Sequence, residues 1–172
     1  TSATAVLRRD PAPQTLFVTQ RERLRALYGL DDAAWNALQT KLTNLAQHSA
    51  VRGDIISLPS AIYDAWDSKP CSVDTANGAA AQVRSIIQTY LAANPSILYV
   101  VLVGSDDVVP HRRVPDETVI SNERYYSTGA FLNAGSPLFI SVLGGYNLTD
   151  DYYVDKQPSS WQGRELYVPD LP

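Results

Sequence analysis

Two adjacent carboxylates, Asp106 and Asp107, are followed five and six residues after the second by Arg112 and Arg113. Neighbouring carboxylates repel one another unless a cation, an arginine or backbone N–H groups answer them. Two arrangements meet that need. In one, the aspartates cap a turn and an arginine folds back to pair with them. In the other, Asp106, Asp107, Asp116 and Asp151 supply loop oxygens to a hard cation such as Ca2+, which takes several oxygen ligands from flexible segments. No EF-hand spacing is present.

Cysteine catalysis needs a thiolate within hydrogen-bond reach of an imidazole. The chain has one cysteine, Cys71, and two histidines, His48 and His111. Neither histidine precedes a glycine, and Cys71 sits in a loop rather than at the end of an apolar strand, so no catalytic residue is assigned within this chain. One cysteine also excludes an internal disulfide and a CxxC metal knuckle. Gly104-Ser105-Asp106-Asp107 carries neither the GxGxxG nor the GxxxxGK[ST] spacing, and its acids would repel a phosphate. No serine lies in a GxSxG elbow, and no His/Glu pair has metalloprotease spacing.

The element that must position the aspartates is the stretch before them. Ile97 to Val103 is apolar or aromatic without alternation. A run with no wet face is the pattern of a central parallel strand, and the polar residues after Gly104 mark its carboxyl end, where open α/β sheets gather their ligands. Upstream, Thr15 to Thr19 reads as a first strand. Gln20 to Tyr28 reads as a helix with Leu24, Leu27 and Tyr28 on one face and Gly29 as its stop. Asp31 or Asp32 caps a helix that carries Trp35, Leu38, Leu42 and Leu45 to about His48. Val51 to Leu58 holds a second strand, Pro59 opens a short helix with Ile62, Tyr63 and Trp66 inward, and Asp74 caps a long helix to Ala93 with an apolar stripe from Ala79 to Leu91.

This β-α-β-α-β order, with crossovers long enough for parallel pairing, predicts an α/β fold: a three-layer, doubly wound, mainly parallel sheet. Residues 1–13 read as an extended entry segment and 14–172 as a single α/β domain. Beyond Pro110 the pattern turns irregular, acidic and tyrosine-rich. His111 to Asp116 reads as a polar segment, Pro137 to Leu143 as a strand or a short buried helix, and Glu165 to Val168 as a last strand. Tyr125, Tyr126, Tyr152 and Tyr153 either cover the sheet or form a docking face, since aromatic side chains are enriched at interfaces.

Charge is unevenly spread. Residues 1–103 hold nine basic and eight acidic side chains, and residues 104–172 hold five basic and ten acidic. An acidic second part argues against a nucleic-acid partner and leaves a cation or a basic surface open. No apolar stretch approaches a membrane span. The absence of methionine and of a signal-like N-terminus suggests an internal piece of a longer polypeptide.

Four landmarks stand in order: TLFVTQ at 15–20, YVVLVGSDDVVPHRRVPD at 99–116, TDDYYVD at 149–155 and ELYVPDLP at 165–172. Together they resemble the gingipain-like cysteine peptidases, a branch of the caspase-like fold. Val103-Gly104, Val109-Pro110, Thr149 to Tyr153 and Leu166 to Leu171 take the places of that family's strand tip, apolar-Pro pair, acidic–aromatic segment and final strand. The resemblance implies that this chain is the N-terminal subdomain, that the catalytic His-Gly and Cys belong to a downstream half, and that this half is its partner. It also implies a peptide or protein substrate for the parent enzyme, no required cofactor, bound calcium as an option, and an extracellular or cell-surface location. A free-standing, flavodoxin-like binding module with a cation site at the sheet's carboxyl edge is the alternative, and an inactive homologue that has lost its dyad is a third.

Overall fold

The computed structural model describes residues 12–127, 132–161 and 163–172. The expected entry segment lies outside the described residues except for its last two positions. The remainder is a mixed α/β fold built on a three-stranded parallel sheet flanked by helices.

Strand β1 (Thr15–Thr19) is buried at every position. Its β-branched and aromatic side chains suit a pleated surface packed on both sides. It pairs in parallel with β2 (Gly53–Ser57), Thr15 opposite Gly53, and with β3 (Tyr99–Leu102), Thr15 opposite Tyr99. The order is therefore β2-β1-β3.

Between β1 and β2 lie α1 (Arg21–Leu27) and α2 (Asp32–Gln47). The Asp31 carboxylate accepts from the Ala34 N–H at 2.8 Å and caps α2 as expected. Phe17 points to the opposite face of β1 from Leu16 and Val18. A Cβ on Gly53 would lie 2.5 Å from the Phe17 ring and 3.1 Å from Ala46 Cα, so the absence of a side chain lets α2 close on the sheet. Within α1 only Leu24 is buried; Leu27 and Tyr28, expected on the same inward face, are about half exposed.

A 3-10 turn (Ser60–Tyr63) and α3 (Asp64–Ser68) bury Ile62, Tyr63 and Trp66, and α4 (Val73–Ala93) buries Ala76, Ala79, Ala80, Val83, Ile87 and Leu91. These residues form one core with Leu16, Val18, Val108 and Val109. The cap of α4 is Ser72, whose hydroxyl accepts from the Thr75 N–H, and not Asp74, which lies inside the first turn.

The apolar run expected at the centre of the sheet stands at its edge. Leu98, Tyr99 and Val101 are 46%, 48% and 38% exposed. The reason is strand order: β1 occupies the centre, and on its outer side β3 meets the Pro172 carbonyl, which accepts from the Val100 N–H at 3.0 Å.

After Pro110 the chain builds a second, antiparallel pair from β4 (Arg112–Pro115) and β5 (Tyr146–Thr149), Arg112 opposite Thr149. The segment read only as polar from the sequence thus holds a strand. Between them α5 (Pro137–Leu143) resolves the strand-or-helix ambiguity: Ser136 caps it through the Phe139 N–H, and Pro137 starts it where no N–H is needed. A hairpin, β6 (Ser159–Trp161) and β7 (Arg164–Leu166), completes the second part. Among the described residues no helix is long and apolar enough to cross a membrane.

Candidate functional site

The carboxyl end of β3 is shaped by Gly104. Its φ is +128°, and a Cβ there would lie 2.5 Å from Val108 Cβ, so only glycine fits. The chain then folds over itself, with the Ser105 carbonyl accepting from the N–H groups of Val108 and Val109 at 2.8 and 2.9 Å. Two buried phenols fix the returning segment: Tyr63 donates to the Val108 carbonyl at 2.6 Å, and Tyr153 donates to the Pro110 carbonyl. Burial pushes both hydroxyls well above the ordinary tyrosine range, so both remain donors at neutral pH.

This turn aims Asp106 into the fold. Its Oδ1 accepts from Arg113 Nη1 and from the His111 N–H, each at 2.7 Å, and its Oδ2 accepts from Arg113 Nη2 at 2.5 Å. Both partners are buried. Arg113 also donates to the His111 carbonyl at 2.6 Å, and its guanidinium stands 5.2 Å from the Trp66 ring. Asn77 of α4 clasps the Arg113 backbone, its Oδ1 accepting from the N–H at 2.8 Å and its Nδ2 donating to the carbonyl at 3.0 Å. A forked, charge-assisted pair in this setting fixes geometry as well as charge.

The other three aspartates go elsewhere. Asp107 is half-buried, and desolvation, reinforced by the charge of Asp106, raises its carboxyl above the ordinary range against the pull of Arg23 and Arg113. Its carbonyl accepts from Arg23 Nε at 2.8 Å, and Arg23 lies 4.3 Å over the Tyr63 ring and forks onto Asp67. Asp116 closes its own loop: it accepts from the Glu123 N–H at 2.7 Å, the Thr118 N–H at 2.9 Å and the Thr118 hydroxyl at 2.7 Å, which hold its carboxyl below the usual range. Asp151 starts a 3-10 turn, Asp151–Tyr153, on the wall of a cavity of about 140 Å3 shared with Val100, Leu102 and Leu171. Among the described residues no three His, Cys, Asp or Glu side chains converge to hold a metal ion. Asp106 and Asp116 each find donors in a separate local network.

The four tyrosines divide. Tyr152 and Tyr153 are core residues of this fold, while Tyr125 and Tyr126 are exposed at a 3-10 turn, Glu123–Tyr126. Cys71 is exposed and approaches the Gly135 carbonyl at 3.6 Å, and His111 meets Asp106 through its backbone. Sequence reasoning foresaw an arginine returning to the aspartates but missed Asn77 and Arg23. The first leaves one signal, an amide just ahead of the α4 apolar stripe.

Compared with known proteins, the chain matches no family model, no curated protein and no solved structure.

Proposed function

We propose that this chain is the non-catalytic N-terminal subdomain of a gingipain-like cysteine endopeptidase, with a three-layer, doubly wound sheet of the caspase-like type, and that it supports a downstream half bearing the catalytic histidine and cysteine. The observation that carries the reading is the outer side of β3. An apolar edge strand with Tyr99 and Val101 exposed, whose outward Val100 N–H meets the Pro172 carbonyl, is the surface onto which a sheet adds its next strand. The order of the landmarks and the β2-β1-β3 arrangement agree with it. The exposed Tyr125 and Tyr126 add a second contact surface for the same partner. The substrate of the parent enzyme is a peptide or protein.

A peptide-cleavage assay tests this. The isolated chain is expected to be inert. Hydrolysis by the 172-residue chain that disappears in Cys71→Ala would overturn the proposal.

One observation favours a second reading, a flavodoxin-like binding module. The strand order places a topological switch point between the carboxyl ends of β1 and β3, and the half-buried carboxyl of Asp107 follows β3 there. On this reading Ca2+ or a basic partner binds at that edge.

A further inference from the structure

A second, independent feature lies along β4. A cavity of about 230 Å3 is walled by Arg112, Arg113, Val114, Pro115, Arg164, Glu165 and Tyr167. Its volume is below the roughly 300–1,000 Å3 of pockets that enclose drug-sized ligands, so its occupant is small.

Two of the three arginines on the wall are answered. Arg113 is held by Asp106, and Arg164 pairs with Glu117. Glu165 accepts the Tyr167 hydroxyl at 2.6 Å, a neutral partner that leaves its negative charge on the wall. Burial and that bond push the Tyr167 phenol up to about 12, so no phenolate is present to answer a cation. Arg112 is the exception. Its guanidinium stands 5.1 Å from the Tyr152 ring and lies against the neutral Tyr167 hydroxyl, its buried Nε has no acceptor, and it has no ion-pair partner among the described residues. Arg84, likewise without an ion pair among the described residues, shares that ring at 4.5 Å. Two guanidinium groups on one ring raise the local positive potential, and a ring face attracts a cation without neutralising it.

We propose that this cavity binds the carboxylate group of a small monoanionic ligand, with Arg112 as its charge partner and Val114 and Pro115 as the surface for its apolar part. A guanidinium matches a carboxylate in a two-pronged arrangement. Glu165 on the wall disfavours a dianion such as phosphate. The carboxylate belongs either to a free short-chain acid or to the C-terminus of a peptide.

The test is a titration of the full isotope-labelled chain, followed by NMR at the Val114 and Tyr167 amides. The probes are butyrate, inorganic phosphate and an acetylated dipeptide with its C-terminus free or amidated. Saturable shifts with butyrate identify a free acid. Saturable shifts with the free-terminus dipeptide, but with neither butyrate nor the amide, identify a peptide end. Arg112→Gln is expected to weaken the binding about tenfold, the worth of one charge-assisted hydrogen bond. Glu117→Gln, which releases Arg164, is expected to strengthen it. No saturable shift with either carboxylate, phosphate binding tighter than both, or undiminished binding in a folded Arg112→Gln would overturn the proposal. Should Arg112→Gln not fold, Glu117→Gln decides: tighter binding supports the site, and unchanged binding overturns it.

Discussion

Arg113 and Asp106 meet through two parallel bonds of 2.7 and 2.5 Å at the carboxyl end of β3, both side chains nearly sealed from solvent. The pair joins the β3 tip to β4, and Asn77 adds α4 to the same joint. Removing one partner leaves the other charge buried and unanswered. Arg113→Met or Asp106→Asn is therefore expected to cost about 3–5 kcal/mol in urea unfolding. Replacing both, with Arg113→Met and Asp106→Leu, is expected to recover much of that loss, because the desolvation cost of both charges goes as well.

Asp107 and Asp116 titrate in opposite senses. The folded state binds the Asp107 proton more tightly than the unfolded state does. Its contribution is present at acid pH and is lost as pH rises through the raised folded value. Asp107→Asn is thus expected to stabilise the protein at neutral pH and to change little in strong acid. Asp116 has a depressed carboxyl, so its contribution is present above the ordinary carboxylate range and lost as pH falls through the depressed value. Asp116→Asn is expected to destabilise at neutral pH, the difference closing in acid. Melting temperatures of both variants across an acid-to-neutral series check the two signs.

The second reading makes its own prediction. If a cation binds at the carboxyl edge, Ca2+ raises the melting temperature, and the rise disappears in Asp107→Asn. No rise with Ca2+ in the unaltered chain counts against a metal there.

Helix α4 depends on the hydroxyl of Ser72. Ser72→Ala is expected to cost about 1 kcal/mol, typical of a lost N-cap. Asp74→Ala is expected to cost less, since Asp74 only faces the positive end of the helix. Thermal unfolding of the two variants distinguishes cap from first-turn charge.

Local chemistry was readable in the chain, and long-range order was not. The span of β1, the Asp31 cap, the inward Ile62, Tyr63 and Trp66, and the α4 stripe all follow from spacing and residue type, which act over a few residues. The position of β3 does not. Its unbroken apolar run has the composition of a central strand, yet Thr15 to Thr19, flanked by threonines, takes the centre because strand order is set by crossovers tens of residues long. Likewise Arg112 to Pro115 looks polar and proline-bounded, and although a returning arginine was legible, that Arg113 is buried was not, because a charged residue carries no mark of burial in its own type. For the same reason the sequence left open whether Tyr152 and Tyr153 cover the sheet or form a docking face. Their hydroxyl and ring partners lie on other elements.

The exposed side of β3 carries a cost in the isolated chain. Apolar edge strands recruit other chains. The isolated chain is expected to self-associate as concentration rises, and Val101→Lys, at an exposed position, is expected to suppress this with a stability change within about 0.5 kcal/mol. Light scattering over a dilution series reads the first effect and thermal unfolding the second.

The most direct measurement is peptide cleavage by this chain extended through the rest of its reading frame beyond Pro172. The expected result is hydrolysis by the extended polypeptide that stops on thiol alkylation and persists in Cys71→Ala, with the isolated chain inert. An extended polypeptide that lacks a downstream histidine and cysteine, or that carries both and cleaves nothing, would contradict the peptidase reading.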